Sequence, residues 1–480
     1  MSLAARRALF VLVGVLLLQS AWMFAVPPFR GSDEVDHAFR AAGVATGQWH
    51  LADDARDGRG QLVWVPRALA AAAAAQCASL TYPGPDNCHP VEVRGDRARI
   101  ATAAGPYDPV FYWVIGTAAR PFSGSHALYA MRLTTALVTA LLLALGAGLL
   151  TFAGAGRWVT LGLVAAVVPE VAYSGVVAAP DGPEMALGLV LWAALLALGR
   201  HPDPRRERML LGCAIGAAVL LAFIRQLGPL WIVAILASAV VFLGWERVKE
   251  VVGRHRVLLA SGVLLVFLAT CWWALWQVIA SHVTVPSDAV PQTRERRLWI
   301  LAFNLPAWIA QMIGAFPYRD QPAPLWVYPF VLLVILLFLV GAYRHSRATR
   351  DLRTVRLVVA ATLVIPVALS LVFMPSYGAI WQGRYELVYV IGILPLCGLL
   401  MDRHGFAPVE GKRLVLVSLV FLAMAQVVSV VNVMHVELGR PESTRHSGWV
   451  HPPLAVVGLL ALLGAGVLSW LAARTEAGDA

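Results

Sequence analysis

The stretch ALFVLVGVLLLQSAWMFAVPPFRGSDEVDH, residues 8–37, contains the two features that define this chain. Its first part, 8–26, is an uncharged apolar run. At about 20 residues, such a run can cross the hydrocarbon core of a bilayer as a helix. Its second part places three carboxylates and one imidazole within residues 33–37, directly after that helix. The stretch therefore predicts a membrane-spanning helix followed by a polar motif at one face of the membrane.

Eleven further apolar runs, uncharged or nearly so, follow along the chain. They lie at 127–152, 157–178, 184–199, 209–224, 228–244, 257–280, 325–343, 357–374, 386–401, 413–434 and 453–473. The 480-residue chain is 59% hydrophobic and only 14% charged, whereas soluble proteins have about 25% charged residues. These features predict an all-α polytopic membrane protein with about 12 transmembrane helices, and they exclude an ordinary soluble enzyme or a disordered chain.

The distribution of charge predicts the orientation. Arg6 and Arg7 precede the first run, which would place the N-terminus in the cytoplasm. Alternation of the spans then places every second short linker, and the C-terminus, in the cytoplasm. These linkers hold about twice as many Lys and Arg as Asp and Glu, as expected for cytoplasmic segments. The net charge of +10 is therefore a topology signal, and we expect no nucleic-acid partner. The expected location is the inner membrane of a bacterium.

Two long loops divide the spans. The predicted regions are 1–26 (first transmembrane helix, retained rather than cleaved), 27–126 (outer loop), 127–280 (helices 2–7), 281–324 (outer loop) and 325–480 (helices 8–12). The Ala-rich stretch Ala68–Ala75 predicts short helices in the first loop. Leu298–Gly314 predicts an interfacial or re-entrant helix in the second.

Two of the five cysteines, Cys77 and Cys88, lie in the first outer loop. They could form a disulfide in an oxidising compartment, or they could be two free thiols. The sequence contains no CxxC or His-rich metal-binding pattern, so it predicts no metal site. It leaves the cofactor undetermined, and a divalent metal remains an alternative without a clear ligand motif.

The candidate catalytic residues follow the first span: Asp33, Glu34, Asp36 and His37. If Ser32 is the N-cap of a helix, Asp33, Asp36 and His37 would lie on one face of it, because residues three and four positions apart are neighbours on a helix surface. Such a cluster could hold a general base or a divalent cation. The alternative is that acidic residues cap a helix and meet solvent.

Three other polar motifs lie in predicted outer regions. They are Gly105–Trp113 with Tyr112, which looks like a turn opening an amphipathic helix, Ala179–Glu184 with Asp181, and Trp381–Glu386 with Gln382, Arg384 and Tyr385. The candidate substrate-binding residues in these motifs are Tyr112, Asp181, Gln382, Arg384 and Tyr385, and Asp181 could point into a cavity beneath the first loop. The alternatives are that interfacial aromatics are anchors, that an aspartate in a turn is solvated, and that an interfacial arginine snorkels.

Charged residues in or near the predicted spans form a further group. Arg384 and Arg225 are candidates for an anionic lipid headgroup, because a guanidinium binds phosphate with two hydrogen bonds. Arg132 and Glu170 lie within predicted spans, where an unpaired charge costs about 2.5–3.5 kcal/mol. We therefore expect each of them to face a partner or water.

These motifs resemble the bacterial membrane family called domain of unknown function 2142. Pro28–His37 resembles its P-x-D-E-x-x-H signature, although four residues separate Pro28 from Asp33. Pro109–Tyr112 is similar to its P-x-x-Y turn, Pro180–Gly182 to its P-D-G and Gln382–Tyr385 to its Q-G-R-Y. The four motifs occur in the expected order over about 27–400.

The resemblance implies a C-type glycosyltransferase-like fold and a membrane enzyme that uses a polyprenyl-phosphate sugar on the non-cytoplasmic face. It implies that the acid after the first span is the catalytic base, which leaves Asp33 and Glu34 as alternatives, with Asp181 supporting the site or a metal. The implied partners are the lipid-linked sugar, the bilayer and an unknown glycan, lipid or protein acceptor. Two alternatives stay open: a transporter or flippase of a lipid-linked saccharide, and a non-catalytic membrane assembly protein.

Overall fold

The computed structural model describes residues 2–77, 84–154, 156–200, 203–280, 293–346, 348–377, 381–406, 411–440 and 448–475. Helices dominate this part of the chain. They are α1 Leu3–Ala25, α2 Glu34–Ala45, α3 Arg67–Cys77, α4 Pro109–Ala119, α5 Gly124–Leu150, α6 Arg157–Ala166, α7 Pro169–Ser174, α8 Asp181–Ala197, α9 Pro204–Ile224, α10 Gly228–Leu243, α11 Trp245–Ala280, α12 Arg294–Ile313, α13 Val327–His345, α14 Thr349–Tyr377, α15 Leu387–Val390, α16 Ile393–Arg403, α17 Gly411–Gly439 and α18 Leu454–Arg474.

Ten helical segments in the described residues are long and apolar enough to cross a membrane. They contain α1, α5, α8, α9, α11, α13, α14, α16 (with the short helices before it from Gly383), α17 and α18. The prediction of an all-α polytopic membrane protein is confirmed. The two remaining predicted spans, 157–178 and 228–244, form shorter helices.

The predicted span 157–178 is broken. α6 ends at Ala166 and α7 begins at Pro169, and the backbone of Val167 between them is non-helical. Proline has no N–H to continue the ladder, and it disfavours helical backbone in the preceding residue. The other short span, α10, has 16 residues and a length of about 24 Å. Neither is among the ten long segments, so the described residues contain ten long apolar helices where the sequence predicted about 12 spans.

Contacts between distant residues define the two ends. At one end, the loop of 26–123 meets the far end of α17, where Arg30 Nε lies 3.3 Å from Glu437 Oε1. We call this the loop-bearing end. At the other, the opposite end, the backbone N–H of Trp158 donates to Asp402 Oδ1 at 3.1 Å, which joins the start of α6 to the end of α16. α8 runs between the two ends through the centre of the bundle. In its apolar part, 94% of the residues are buried, as expected for a helix that is hydrophobic on all sides.

The loop of 26–123 is a folded unit of helices and one small sheet. α2, α3 and α4 confirm the expectation of short helices. The antiparallel strands β1 Gln61–Pro66, β2 Glu92–Arg94 and β3 Arg97–Thr102 pair in the order β1-β3-β2, and sequence analysis missed them. Along β1, buried and half-buried residues alternate, which is the period-two signal of a strand. Cys77 and Cys88 form a disulfide that joins the end of α3 to the following turn.

The second loop contributes a helix and a hairpin. α12 corresponds to the helix predicted over 298–314, but it starts four residues earlier and ends one residue earlier, at Ile313. Residues 281–292 lie outside the described residues. The short strands β4 Ala315–Phe316 and β5 Gln321–Pro322 follow it as an antiparallel pair. Ser32 Oγ donates to the Pro317 carbonyl at 2.9 Å. The hairpin therefore packs directly on the acidic motif that follows α1.

Candidate functional site

Asp33 occupies an unusual backbone position at the start of α2. Its φ of 56° is in the left-handed region, and α2 begins one residue later at Glu34. The prediction that Ser32 caps this helix is therefore wrong, because its hydroxyl is used by the hairpin. The left-handed backbone of Asp33 lies outside the helical repeat, yet Asp33 remains the strongest charge acting on His37, whereas Asp36 binds the backbone of Ala103.

The side chain of Asp33 faces the start of the segment that leads into α16. Arg384 Nη2 donates to Asp33 Oδ2 at 2.6 Å. The Asp33 side chain is 36% exposed and Arg384 only 4%. Burial raises the pKa of Asp33, but the positive charge of Arg384 outweighs this and leaves the pKa below its ordinary value. Asp33 is therefore an accessible carboxylate that is ionised at neutral pH.

A second carboxylate, Asp181 at the start of α8, lies beside the same arginine. Arg384 Nε is 3.4 Å from Asp181 Oδ1, and Arg225 Nη1 donates to that oxygen. The Tyr385 ring lies under both guanidinium groups, 4.5 Å from Arg225 Cζ and 5.6 Å from Arg384 Cζ. The structure thus brings together two acids, two arginines and a tyrosine from four separate elements. We call Asp33, Asp181, Arg225, Arg384 and Tyr385 the charge cluster.

Tight packing fixes the position of Arg384. The preceding residue, Gly383, lies so close to α12 that any Cβ would collide with the Trp308 carbonyl oxygen. Its N–H donates to Gln311 Oε1 at 2.8 Å. Gln382 is adjacent, and its Oε1 is buried without a hydrogen-bond partner in the described residues.

Glu34 forms a separate and saturated ion pair. Arg132 of α5 donates to both of its carboxylate oxygens, at 2.8 and 2.6 Å, and both side chains are fully buried. The backbone N–H groups of Gly31 and Ala178 donate to the same carboxylate. The remaining Arg132 donors go to the carbonyls of Val26 and Pro27. The pair ties the motif to α5 and leaves Glu34 little capacity for other contacts.

The other two candidates in the motif also have local partners. Asp36 Oδ1 accepts from the backbone N–H of Ala103 at 2.6 Å, which joins α2 to the end of β3. His37 Nδ1 lies 2.7 Å from the Tyr112 hydroxyl. Burial lowers the pKa of His37 to about 4, although the negative charges of Asp33 and Asp181 partly oppose this. His37 is therefore a neutral imidazole at neutral pH, close to the charge cluster but not part of it.

Several residues that contact the charge cluster or the motif after α1 were not among the predicted site residues. Glu184, one turn after Asp181, lies 3.6 Å from Arg225. Tyr173 accepts from the backbone N–H of Ser32 at 3.0 Å. Arg319, exposed on the hairpin and also in the left-handed region, helps to lower the pKa of Asp33 by its charge. One expectation from the sequence did point to such partners, namely that charged residues within the spans should be paired. Arg132 pairs with Glu34, and Glu170 accepts a hydrogen bond from the Ala315 N–H at 3.1 Å.

The described residues contain no group of three or more His, Cys, Asp and Glu side chains arranged to hold a metal ion. The acids of the charge cluster are paired with arginines instead. The two guanidinium groups could bind an anion in exchange for these acids, and Asp33 could accept a proton.

The fold and this cluster define a multi-pass membrane protein with a polar site at one end of its helix bundle. The family model described as "Predicted membrane protein (DUF2142)" matches residues 16–396. The chain belongs to this family, which confirms the resemblance found in the sequence.

No curated protein matches the sequence. Two solved structures are similar to the chain, and both are ArnT from Cupriavidus metallidurans. The one bound to undecaprenyl phosphate has 17% identity and a TM-score of 0.40, over 98% of this chain and 78% of that chain. The apo state has 16% identity and a TM-score of 0.41, over 98% and 77%.

Proposed function

We propose that this protein is a membrane glycosyltransferase that moves a sugar from a polyprenyl-phosphate donor to a cell-envelope acceptor on the non-cytoplasmic face. The observation that carries the proposal is the pairing of Asp33, an accessible carboxylate, with Arg384, a buried arginine, at the ends of apolar helices. A lipid-linked donor would present its phosphate at that depth. The family resemblance in the four sequence motifs supports the same reaction.

Asp33 is the better candidate for the base. In the transfer, the acceptor hydroxyl attacks the anomeric carbon, the bond from that carbon to the phosphate oxygen breaks, and polyprenyl phosphate leaves. The hydroxyl proton needs an acceptor, and Asp33 has an exposed oxygen for it. Glu34 is fully buried and engaged by Arg132, and Asp36 binds β3. Both would act by holding the motif in position.

Arg384 and Arg225 would bind the donor phosphate and stabilise the negative charge of the leaving group. In the free protein, Arg384 is bound to Asp33, which makes that carboxylate a weak base. A donor phosphate that takes over the Arg384 guanidinium would raise the basicity of Asp33. Donor binding would then activate the base.

The experiment is a transfer assay with the full-length protein in membranes and a panel of radiolabelled polyprenyl-phosphate sugars. We expect the parental protein to transfer sugar from one donor of the panel. The Asp33→Asn variant should use that donor far more slowly. Glu92→Gln, at a half-exposed acid on the edge strand β2, is the matched control and should be fully active. Equal transfer by Asp33→Asn and the parental protein would refute the assignment of the base.

The proposal requires the loop-bearing end to lie outside the cytoplasm. Single cysteines introduced into 53–57 of the first loop and into 349–353 at the start of α14 can be labelled in intact cells with a membrane-impermeant reagent. We expect labelling at the first position only. The reverse pattern would invert the proposed topology.

One observation favours a second candidate, a transporter or flippase of a lipid-linked saccharide. α6 and α7 form a broken span, with the buried Glu170 just after the break, and discontinuous helices are typical of transporters. A reconstituted flipping assay tests it. Movement of a fluorescent lipid-linked saccharide across vesicles, unaffected by Asp33→Asn, would favour transport over transfer.

A further inference from the structure

A polar cavity lies at the opposite end of the bundle, far from the charge cluster. It has a volume of about 320 Å³ and is lined by three arginines, Arg247, Arg350 and Arg403. α8 relates the two places: Asp181 begins this helix, and Gly199, which lines the cavity, follows its end. Eighteen residues of helix correspond to about 27 Å, so the cavity cannot belong to the charge cluster.

Two of the arginines have donors available to a ligand. Arg350 and Arg403 are 47% and 30% exposed, and each lies at the long distance of 3.8 Å from the buried Asp351. One carboxylate therefore faces two guanidinium groups, and its second oxygen is 2.7 Å from His404 Nε2. A net positive charge is left at the cavity.

The third arginine is already neutralised. Arg247 Nη2 donates to Glu207 Oε1 at 2.5 Å, and its Nε donates to the Leu198 carbonyl. Glu246, the acid in the first turn of α11, also lines the cavity, but its side chain is 87% exposed and pairs with Lys249. Glu207 and Glu246 are thus engaged by other cations and do not offset the charge of Arg350 and Arg403.

The start of α11 adds to the attraction for anions. The cavity is lined by Gly244 and Trp245, where this 36-residue helix begins. The first N–H groups of a helix lack intrahelical acceptors, and the helix dipole favours negative charge there. Two arginines and a helix start around one cavity form a site for a planar or tetrahedral oxyanion.

We propose that this cavity binds a phosphate group, and that its source is the headgroup of an anionic phospholipid. The depth of the cavity argues for the lipid. It lies at the ends of apolar helices, beside Trp245, whose side chain is large and 64% exposed. Exposed tryptophans at such ends are typical of the membrane interface. The proposal does not depend on the reaction at the charge cluster.

The test measures the thermal unfolding of the purified full-length protein in detergent, followed by tryptophan fluorescence. Phosphatidylglycerol and phosphatidylcholine are titrated in mixed micelles. Sodium phosphate is titrated against sodium chloride of equal ionic strength. We expect phosphatidylglycerol to raise the Tm more than phosphatidylcholine, with a saturable midpoint. A shift with sodium phosphate alone would support the site and identify a soluble phosphate compound as its source.

The variants are Arg350→Gln and Arg403→Gln, each expected to weaken the midpoint about tenfold, since one charge-assisted hydrogen bond is lost. Arg350 also donates to the Leu243 carbonyl, so its loss can affect folding. Arg403 packs on the Phe242 ring and makes no hydrogen bond in the described residues, so its variant keeps the test decisive. Arg356→Gln, on the exposed face of α14, is the matched control and should keep the parental midpoint.

Two results would overturn the proposal. One is a parental midpoint in both Arg350→Gln and Arg403→Gln. The other is the absence of any phosphate-specific shift in the parental protein.

Discussion

The two ends of the bundle each hold a carboxylate among arginines, and the two carboxylates are used differently. At the opposite end, Glu207 is fully buried, and both of its oxygens accept hydrogen bonds, from Arg247 and Arg254 at 2.5–3.0 Å and from His255 at 2.8 Å. At the loop-bearing end, Asp33 has one hydrogen bond, from Arg384, and a side chain that is 36% exposed.

Under the proposed function, the comparison separates a structural carboxylate, Glu207, from a reactive one, Asp33. Every acceptor position of Glu207 is occupied, and the residue fixes α9 to the start of α11, where the backbone of His255 departs from helical geometry. Asp33 keeps an oxygen for a substrate, and its arginine partner can exchange it for an anion. The four predictions below test this difference, from the largest expected effect to the smallest.

Asp33→Asn should lower kcat by about 10²–10⁴-fold, because the amide keeps the shape of the side chain and cannot take the acceptor proton. Its free energy of unfolding should fall by about 1–3 kcal/mol, because the buried Arg384 loses one charged partner and keeps Asp181 as the other. Turnover and thermal unfolding are measured on the same preparation. A loss of stability with parental kcat would make Asp33 structural and remove the contrast.

Glu207→Gln should show the opposite pattern. Removing one partner of a buried ion-pair network leaves uncompensated charge on its arginines and costs about 3–5 kcal/mol of stability. The kcat of the folded fraction should be unchanged. Glu246→Gln is the control: its pair with Lys249 is exposed and should contribute at most about 1 kcal/mol. Equal stability of the two variants would contradict the structural role of Glu207.

His37 should make stability depend on pH. Its pKa is lowered from 6.5 to about 4 in the folded protein, so the unfolded chain binds the proton more readily. The free energy of unfolding that depends on neutral His37 is fully present above pH 6.5. It is lost as the pH falls from about 6.5 to 4, by about 3 kcal/mol in total.

Thermal unfolding as a function of pH checks this. His37→Gln should flatten the curve over that range, whereas the exposed His126→Gln should leave it unchanged. An unaltered curve in His37→Gln would show that the imidazole does not titrate as the structure indicates.

Arg384→Lys should raise the KM for the donor about tenfold, because an ammonium group cannot reproduce the two-point hydrogen bonding of the planar guanidinium to a phosphate. The exposed Arg120→Lys, in the loop at the same end, is the matched control. An unchanged donor KM in Arg384→Lys would exclude this residue from the binding of the phosphate and weaken the proposed exchange at Asp33.

The long spans could be predicted because each is a local property. About 20 consecutive apolar residues in lipid must satisfy their own backbone, so a run such as 8–26 needs no information from elsewhere in the chain. The break in 157–178 was locally visible as Pro169, but hydropathy alone joined its two parts. The sheet of β1, β2 and β3 was missed because its strands are short and because β1 pairs with β3 across the intervening α3, although β2 and β3 form a local hairpin.

The sequence by itself determined the helical bundle and the motifs at one of its ends. Only the tertiary structure decided which acid of residues 33–37 is accessible. Arg132 is 98 residues from Glu34 and Arg384 is 351 residues from Asp33. The left-handed turn at Asp33 then directs the two neighbouring carboxylates to different partners. Apolar runs and capping residues act within one helix, whereas the partner of a buried charge is set by packing between helices, which local sequence does not contain.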